Sequence, residues 1–254
     1  MTSKMLFGET RTHVARDHAM IGLDSHVPSP LVGWENTQGV VLISPAMHGG
    51  SGGPRFAQYL VQGSAGSRTT GAAPGVERLV YVLAGSAKLD GKPLATDSFS
   101  WLPPDSKYEL AAPADCELLV FEKLYQSLEG VGVPKQVAGT LAGAPKAPFL
   151  GDPDAMLATL LPIEQGFDMA VNVFEYKSGA ALPFVETHVM EHGLYMRSGM
   201  GIYRLADRWY PVQTGDTIWM GSYCPQWFVA MGKESASYIY YKDIHRDPLF
   251  PPIS

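Results

Sequence analysis

The stretch Glu186-Thr187-His188-Val189-Met190-Glu191-His192, read with Gln226 farther on, decides how this sequence folds and where its chemistry sits. A carboxylate and two imidazoles recur at spacings of two and four, flanked by residues of β type. In a strand, residues two apart point to the same face. Glu186 and His188 are therefore expected on one face, His192 joins them if the strand continues, and Gln226 closes the set from a later strand. Carboxylate and amide oxygens with two imidazoles suit Mn2+, Fe2+ or a similar octahedral ion better than structural zinc, which prefers thiolates in a closed tetrahedron. Such an ion would keep positions open for substrate or water.

Outward from this stretch the chain reads as two copies of one β unit. In the first half, 56–62, 77–83, 98–102 and 116–122 have strand character; in the second, 169–176, 193–196, 201–205, 217–220 and 237–241 do. Alternation broken by short, regularly placed turns argues for an all-β chain of sandwich or barrel units. The halves align by hand: Tyr81-Val-Leu-Ala-Gly85 matches Tyr195-Met-Arg-Ser-Gly199, and the segment ending in Trp101 matches the one ending in Trp219. Tandem duplication explains this. The expected organisation is an extension over 1–39, a first barrel over 40–125, a Gly/Ala/Pro-rich linker over 126–158 and a second barrel over 159–254. The first-repeat positions matching the four candidate ligands are about Ala72, Pro74, Arg78 and Tyr108, which make no metal set, so that barrel is expected to be structural.

Composition fits the same picture. Of 254 residues, 46% are hydrophobic and 17% charged, with 27 Gly and 20 Pro, a mixture that suits a turn-rich β protein. The net charge of -6 and the lack of a dense Lys/Arg run argue against nucleic-acid or anionic-membrane binding as a main role. The two cysteines, Cys116 and Cys224, form no CxxC pair. The first residues have no apolar signal-peptide core, so a cytoplasmic, reducing setting is expected. His188-x-x-Glu191-His192 also spells a metalloprotease motif, but that motif needs a helix, whereas Pro183, Val185 and Val189 favour strand or loop and Gly193 follows at once.

The spacing resembles the cupin superfamily. Glu186, His188, His192 and Gly199 fall on the places of its first motif, and Gly215, Gly221, Tyr223 and Gln226 on those of its second, although the ligand types are permuted. A finer resemblance runs from about Leu161 to Leu249. It is carried by Phe167-Asp168, Gly199-x-Gly201-x-Tyr203-x-Leu205, Trp209-Tyr-Pro-Val-Gln-x-Gly-Asp216 and Tyr240-Tyr-Lys-Asp243. Those segments look like the (S)-ureidoglycine aminohydrolases, manganese-dependent bicupins of purine catabolism. The resemblance implies a bicupin fold of two tandem jelly-roll barrels and hydrolysis of a small anionic ureido substrate with release of ammonia. It also implies a homo-oligomer, with Mn2+ held by Glu186, His188, His192 and Gln226. In that reading Glu186 also moves a proton, Lys242 pairs with the substrate carboxylate or an oxyanion, and Tyr203 and Tyr238 orient the ureido group. Tyr238, Tyr240 and Lys242 alternate and so share one strand face. Two other classes stay open: an Fe2+ dioxygenase or isomerase on the same fold, and a non-enzymatic binding bicupin.

Overall fold

The computed structural model describes residues 10–50 and 52–247. These residues form strands and three short 3-10 turns, with no α-helix among them and no helix long and apolar enough to cross a membrane. Residues 1–9 of the expected extension, Ser51 and residues 248–254 lie outside the described residues.

Three sheets make two closed units. In the first, a nine-stranded sheet has Val76–Leu89 and Cys116–Leu124 at its centre, with Ala57–Thr69 and Glu35–Ile43 beyond. In the second, an eight-stranded sheet containing Met169–Tyr176, His192–Ser198, Thr217–Met220 and Ala236–Asp243 faces a three-stranded sheet of Met200–Leu205, Arg208–Gln213 and Gln226–Met231. Every pairing between these strands is antiparallel, which the short turns allow.

The repeat is visible in geometry as well as in sequence. Gly85 and Gly199 have φ of 74° and 75°, and each lies two residues after the position, Leu83 or Arg197, at which its strand's register with the last strand of the barrel slips. A Cβ on Gly85 would lie 2.3 Å from the Asp115 carbonyl oxygen, and one on Gly199 would lie 2.5 Å from that of Ser235. Both positions, just past a bulge, need glycine for the positive φ and for the close approach of the backbone.

Alternation gives the central strands two buried faces. Leu118 and Val120 point into the first barrel, while Leu119 and Phe121 point out of it. In the second barrel Phe174, Leu194, Ile218 and Tyr238 point inward, while Val173, Tyr195, Trp219 and Ile239 point outward. The outward sets meet in a shared core between the barrels, where Phe56 stacks on Tyr241 at 4.1 Å and Trp101 meets Phe167 edge-on at 4.9 Å. Strands that are apolar on both faces are expected when each face is covered.

Two expected boundaries are corrected. The stretch 126–158, expected as the linker, carries strands that belong to the barrels: Val137–Thr140 pairs with Ser98–Leu102 of the first, and Lys146–Phe149 with Asp152–Thr159 forms a hairpin that extends the second. Its Gly, Ala and Pro content hid these strands because they are held by backbone ladders at sheet edges, and Pro148 is tolerated in the outermost one. The extension is likewise part of the sheets. His18–Ile21 pairs with Thr217–Met220, and Glu35–Ile43, which straddles the expected boundary at 39, pairs with Ala57–Thr69. Arg11 anchors this arm through a two-pronged contact with the buried Asp216, at 2.6 and 2.7 Å.

The inter-barrel core contains a carboxyl pair. Glu77 and Asp168 are both fully buried; Trp101 Nε1 donates to Glu77 Oε2 at 2.8 Å, and Lys123 Nζ lies 3.0 Å from Asp168 Oδ2. Burial and the neighbouring Asp168 carboxylate, which shares a hydrogen bond with it, push Glu77 far above the carboxylate range, so it holds its proton in the folded state. In the unfolded chain Glu77 ionises above pH ~4.3. The folded state therefore binds more protons than the unfolded state above that pH, and this group's contribution to stability falls as pH rises. Glu77→Gln, which mimics the protonated form, should remove that dependence. Denaturant unfolding from pH 5 to 9 should show wild-type stability falling relative to the variant by up to about 1.4 kcal/mol per pH unit. Parallel curves would mean that Glu77 is ionised in the fold.

Candidate metal centre and substrate cavity

The eight-stranded and three-stranded sheets of the second barrel are bridged at one end by the segment before His192. This segment is not the continuous strand expected from its alternation. Glu186 makes only an isolated bridge with Gln226, its N–H donating to the Gln226 carbonyl at 2.8 Å and its carbonyl accepting in return at 2.9 Å. His188 sits in the following loop, held where its carbonyl accepts from the Tyr223 N–H at 2.7 Å, and strand structure resumes at His192. Glu186 and His188 thus reach the barrel mouth from a crossing loop, His192 from one sheet and Gln226 from the other.

Three of the four expected ligands converge. His188 Nε2 lies 3.0 Å from His192 Nε2 and 2.8 Å from the Gln226 amide nitrogen. His188 Nδ1 is 3.0 Å from the Met190 carbonyl and donates to it, which leaves Nε2 unprotonated and facing the other imidazole. Burial, the largest cause in each case, lowers the proton affinity of both rings, so both are neutral and able to offer a lone pair. The His188 Nε2 lone pair is thus aimed at the point where His192 Nε2 and the Gln226 amide meet, which is where a cation would be shared. The Gln226 amide oxygen accepts from the Tyr203 hydroxyl at 3.3 Å, and a half-turn of the amide would exchange its oxygen and nitrogen. The Glu186 carboxylate is not gathered with the imidazoles: the one group of three or more His, Cys, Asp and Glu ligand atoms within 4.8 Å of one another among the described residues is Asp17, His18 and Cys224.

That second cluster is poorly suited to a cation. Both ring nitrogens of His18 are engaged, by Asp17 at 2.8 Å and by the Tyr210 hydroxyl at 2.7 Å. Burial pushes the Cys224 thiol up to about 11, so it stays protonated, whereas metals bind the thiolate. By contrast, two neutral imidazoles with adjacent Nε2 atoms, an amide and a carboxylate on the same cavity wall fit a divalent ion with nitrogen and oxygen ligands.

The convergence point opens into a cavity of about 220 Å³. Glu186, His188, His192, Gln226, Tyr203, Tyr238, Tyr240 and Lys242 all border it. Lys242 lies opposite His192 in the strand pairing. Burial lowers the proton affinity of Lys242 and raises that of Glu186, and each is partly countered by the other's charge. Burial keeps the phenols of Tyr203 and Tyr238 protonated, with Tyr238 hydrogen-bonded to Tyr176 at 3.0 Å. Glu191 turns away from the cavity.

The first barrel shows what the same frame does without these residues. Arg78 pairs across strands with Glu122 as His192 pairs with Lys242. The buried Arg78 guanidinium donates to Glu122 and to the Tyr108 hydroxyl, both at 2.5 Å, and lies 5.2 Å from the Trp34 ring centre. A fixed internal cation and its partners occupy that mouth.

Comparison with known proteins agrees with this frame. A probable (S)-ureidoglycine aminohydrolase of Oryza sativa subsp. japonica is 41% identical over 249 residues, which are 95% of this chain and 78% of the relative. The (S)-ureidoglycine aminohydrolase of Escherichia coli (strain K12) is 34% identical over 238 residues, 90% of this chain and 89% of the relative. The chain belongs to the (S)-ureidoglycine aminohydrolase family. The crystal structure of the E. coli protein Ylba superposes on this family member with a TM-score of 0.80 at 31% identity, covering 94% of this chain and 96% of that one. A cupin 2 conserved barrel protein from Leptotrichia buccalis, with a TM-score of 0.60 at 12% identity over 89% of this chain and 96% of its own, shares the fold. No protein-family model matches the chain.

In this aminohydrolase-family chain the sequence did not reveal the apolar walls of the cavity. Phe149 and Leu157 come from the stretch expected to be a linker, and Phe174, Met190, Leu194 and Met220 complete the wall. Phe174, Leu194 and Met220 could have been found from strand parity; Phe149 had no signal, because its strand is short and interrupted by Pro148. Replacing His188 or His192 with Ala should weaken Mn2+ binding at least 10-fold while circular dichroism shows the fold retained. A variant that keeps stoichiometric Mn2+ would remove that histidine from the ligand set.

Proposed function

We propose that the chain hydrolyses (S)-ureidoglycine to (S)-ureidoglycolate and ammonia in the cavity of the second barrel. The observation that carries this reading is the convergence of His188, His192 and Gln226 above Lys242 in a chain so similar to (S)-ureidoglycine aminohydrolases. The cavity is smaller than the roughly 300–1,000 Å³ typical of drug-sized ligands, which suits a compact substrate with a carboxylate, an amine and a ureido group on one carbon.

Glu186, His188, His192 and Gln226 would hold a divalent ion, which we read as Mn2+, the Glu186 side chain turning toward the imidazoles to complete the set. Such an ion supplies charge stabilisation and a fixed template for a chelating substrate.

The remaining roles belong to the chain itself. The reaction exchanges a C–N bond for a C–O bond, so the departing amine gains a proton and water loses one. Glu186 and Lys242 border the same cavity, and burial moves each toward its neutral form, which brings a carboxyl and an amine closer in proton affinity. We assign proton transfer to Glu186, and to Lys242 the pairing with the substrate carboxylate or an oxyanion. Tyr203 and Tyr238 keep their phenolic protons and can donate hydrogen bonds to the ureido oxygen. Met190, Leu194, Met220 and Phe174 exclude bulk water and strengthen each of these interactions.

The free, buried thiols of Cys116 and Cys224 suit a reducing compartment, and we place the protein in the cytoplasm. The exposed Phe184, Val185 and Tyr223 beside the mouth suit burial between copies in a homo-oligomer, which sedimentation would read as a mass above one chain.

Ammonia release from freshly generated ureidoglycine, by metal-stripped protein with and without Mn2+, tests the function. Mn2+-dependent release above the spontaneous rate is expected. Lys242→Met should lower it at least 100-fold with Mn2+ still bound, in line with the ~10²–10⁴-fold worth of a positioned polar catalyst. No release by protein that binds Mn2+ would return the reaction to other cupin chemistries.

A further inference from the structure

The first barrel has no counterpart of the ligand set, yet one of its residues is bonded to the segments that carry it. Arg55, just before the strand Ala57–Thr69, directs its backbone N–H at both Glu191 carboxylate oxygens, at 3.1 and 3.2 Å, and its Nε donates to Glu191 Oε1 at 3.1 Å. Trp219 Nε1 donates to the other oxygen at 3.3 Å. Arg55 Nη2 meets Asp243 Oδ2, and Asp243 Oδ1 accepts from the Glu191 N–H at 2.6 Å. Glu191 precedes His192, and Asp243 follows Lys242. One guanidinium therefore ties the segment carrying the imidazoles to the strand carrying the lysine. The neighbours of Arg55 reinforce the contact. A Cβ on Gly193 would lie 2.3 Å from Phe56 Cζ, and Gln58 Nε2 donates to the Leu194 carbonyl at 3.3 Å.

We infer that Arg55 is a positioning residue for the site of the other barrel, setting where His192 stands relative to Lys242 by holding Glu191 and Asp243 in one cluster. The inference rests on the metal centre proposed above and adds the work of the first barrel to it. Glu191 is nearly completely buried, and without Arg55 its carboxylate would lose its charged partner. The planar fork of arginine reaches two carboxylates at once, which the single ammonium of lysine does less well.

Mn2+ titrated into metal-free wild type, Arg55→Ala and Arg55→Lys, with free Mn2+ read by electron paramagnetic resonance, tests this role beside kcat at saturating Mn2+. Arg55→Ala should weaken Mn2+ binding about 10- to 100-fold and lower kcat, and Arg55→Lys should restore part of the affinity. Wild-type affinity and kcat in Arg55→Ala, with only a lowered Tm, would overturn the inference. Should Arg55→Ala fail to fold, Asp243→Asn, which keeps an acceptor for the Glu191 N–H, should weaken Mn2+ binding in the same direction, and unchanged affinity there would overturn it too. Wild type that binds Mn2+ but releases no ammonia from ureidoglycine would remove the reaction, and the affinity comparison would still decide the role of Arg55.

Discussion

The strand Ala236–Asp243 is buried on both faces, and its register fixes the inter-barrel core and the cavity together. Tyr238, Tyr240 and Lys242 point into the second barrel, while Ile239 and Tyr241 point into the core shared with the first. A slip of one residue would bring Lys242 into the shared core and take the tyrosines out of the cavity. The shared core prevents this because Tyr241 is stacked on Phe56 and packed near Phe121. The same strand pairs with His192–Ser198, so the register that buries Tyr241 also sets Lys242 opposite His192. Packing between the barrels and the geometry of the cavity are therefore one problem with one solution.

Duplication supplied two frames, and the chain has used them differently. At matching positions the first barrel has the pair Arg78 and Glu122, and the second has His192 and Lys242. Arg78 carries its own permanent charge and finds its partners within the barrel, in Glu122, Tyr108 and Trp34, so that mouth is internally satisfied. In the second mouth the neutral imidazoles bring their Nε2 atoms within 3.0 Å of each other beside the Gln226 amide, an arrangement of nitrogen and amide donors that a cation can share. The first barrel contributes its outer face instead, through Phe56, Gln58 and Arg55.

Much of this was legible in the sequence, for physical reasons. Strands such as Met169–Tyr176 stand out as short, mostly apolar runs because both of their faces are buried, and Gly85 and Gly199 mark the repeat because both positions demand a positive φ and a bare Cα. Chemically distinctive side chains at fixed spacings pointed to His188, His192 and Gln226. The path of the chain between Glu186 and His192 was not legible: alternation suggested a strand, but hydrogen bonds to Gln226 and Tyr223 hold a loop. The hairpin over Lys146–Thr159 was hidden as well, because backbone pairing at a sheet edge leaves little trace in side-chain pattern. Arg55 was invisible for another reason. An isolated arginine shows its role only when the fold brings Glu191 and Asp243, residues 136 and 188 positions away, to its guanidinium.

The proposed divalent-metal centre lies at the mouth of the second barrel, with ligands offered by both of its sheets and by the loop that crosses between them. Anomalous X-ray diffraction at the manganese edge, from crystals of metal-stripped protein equilibrated with Mn2+, tests it most directly. One strong peak is expected within bonding distance of His188 Nε2, His192 Nε2, a Glu186 oxygen and the Gln226 amide oxygen. A mouth without a peak, or a peak only at Asp17, His18 and Cys224, would contradict it.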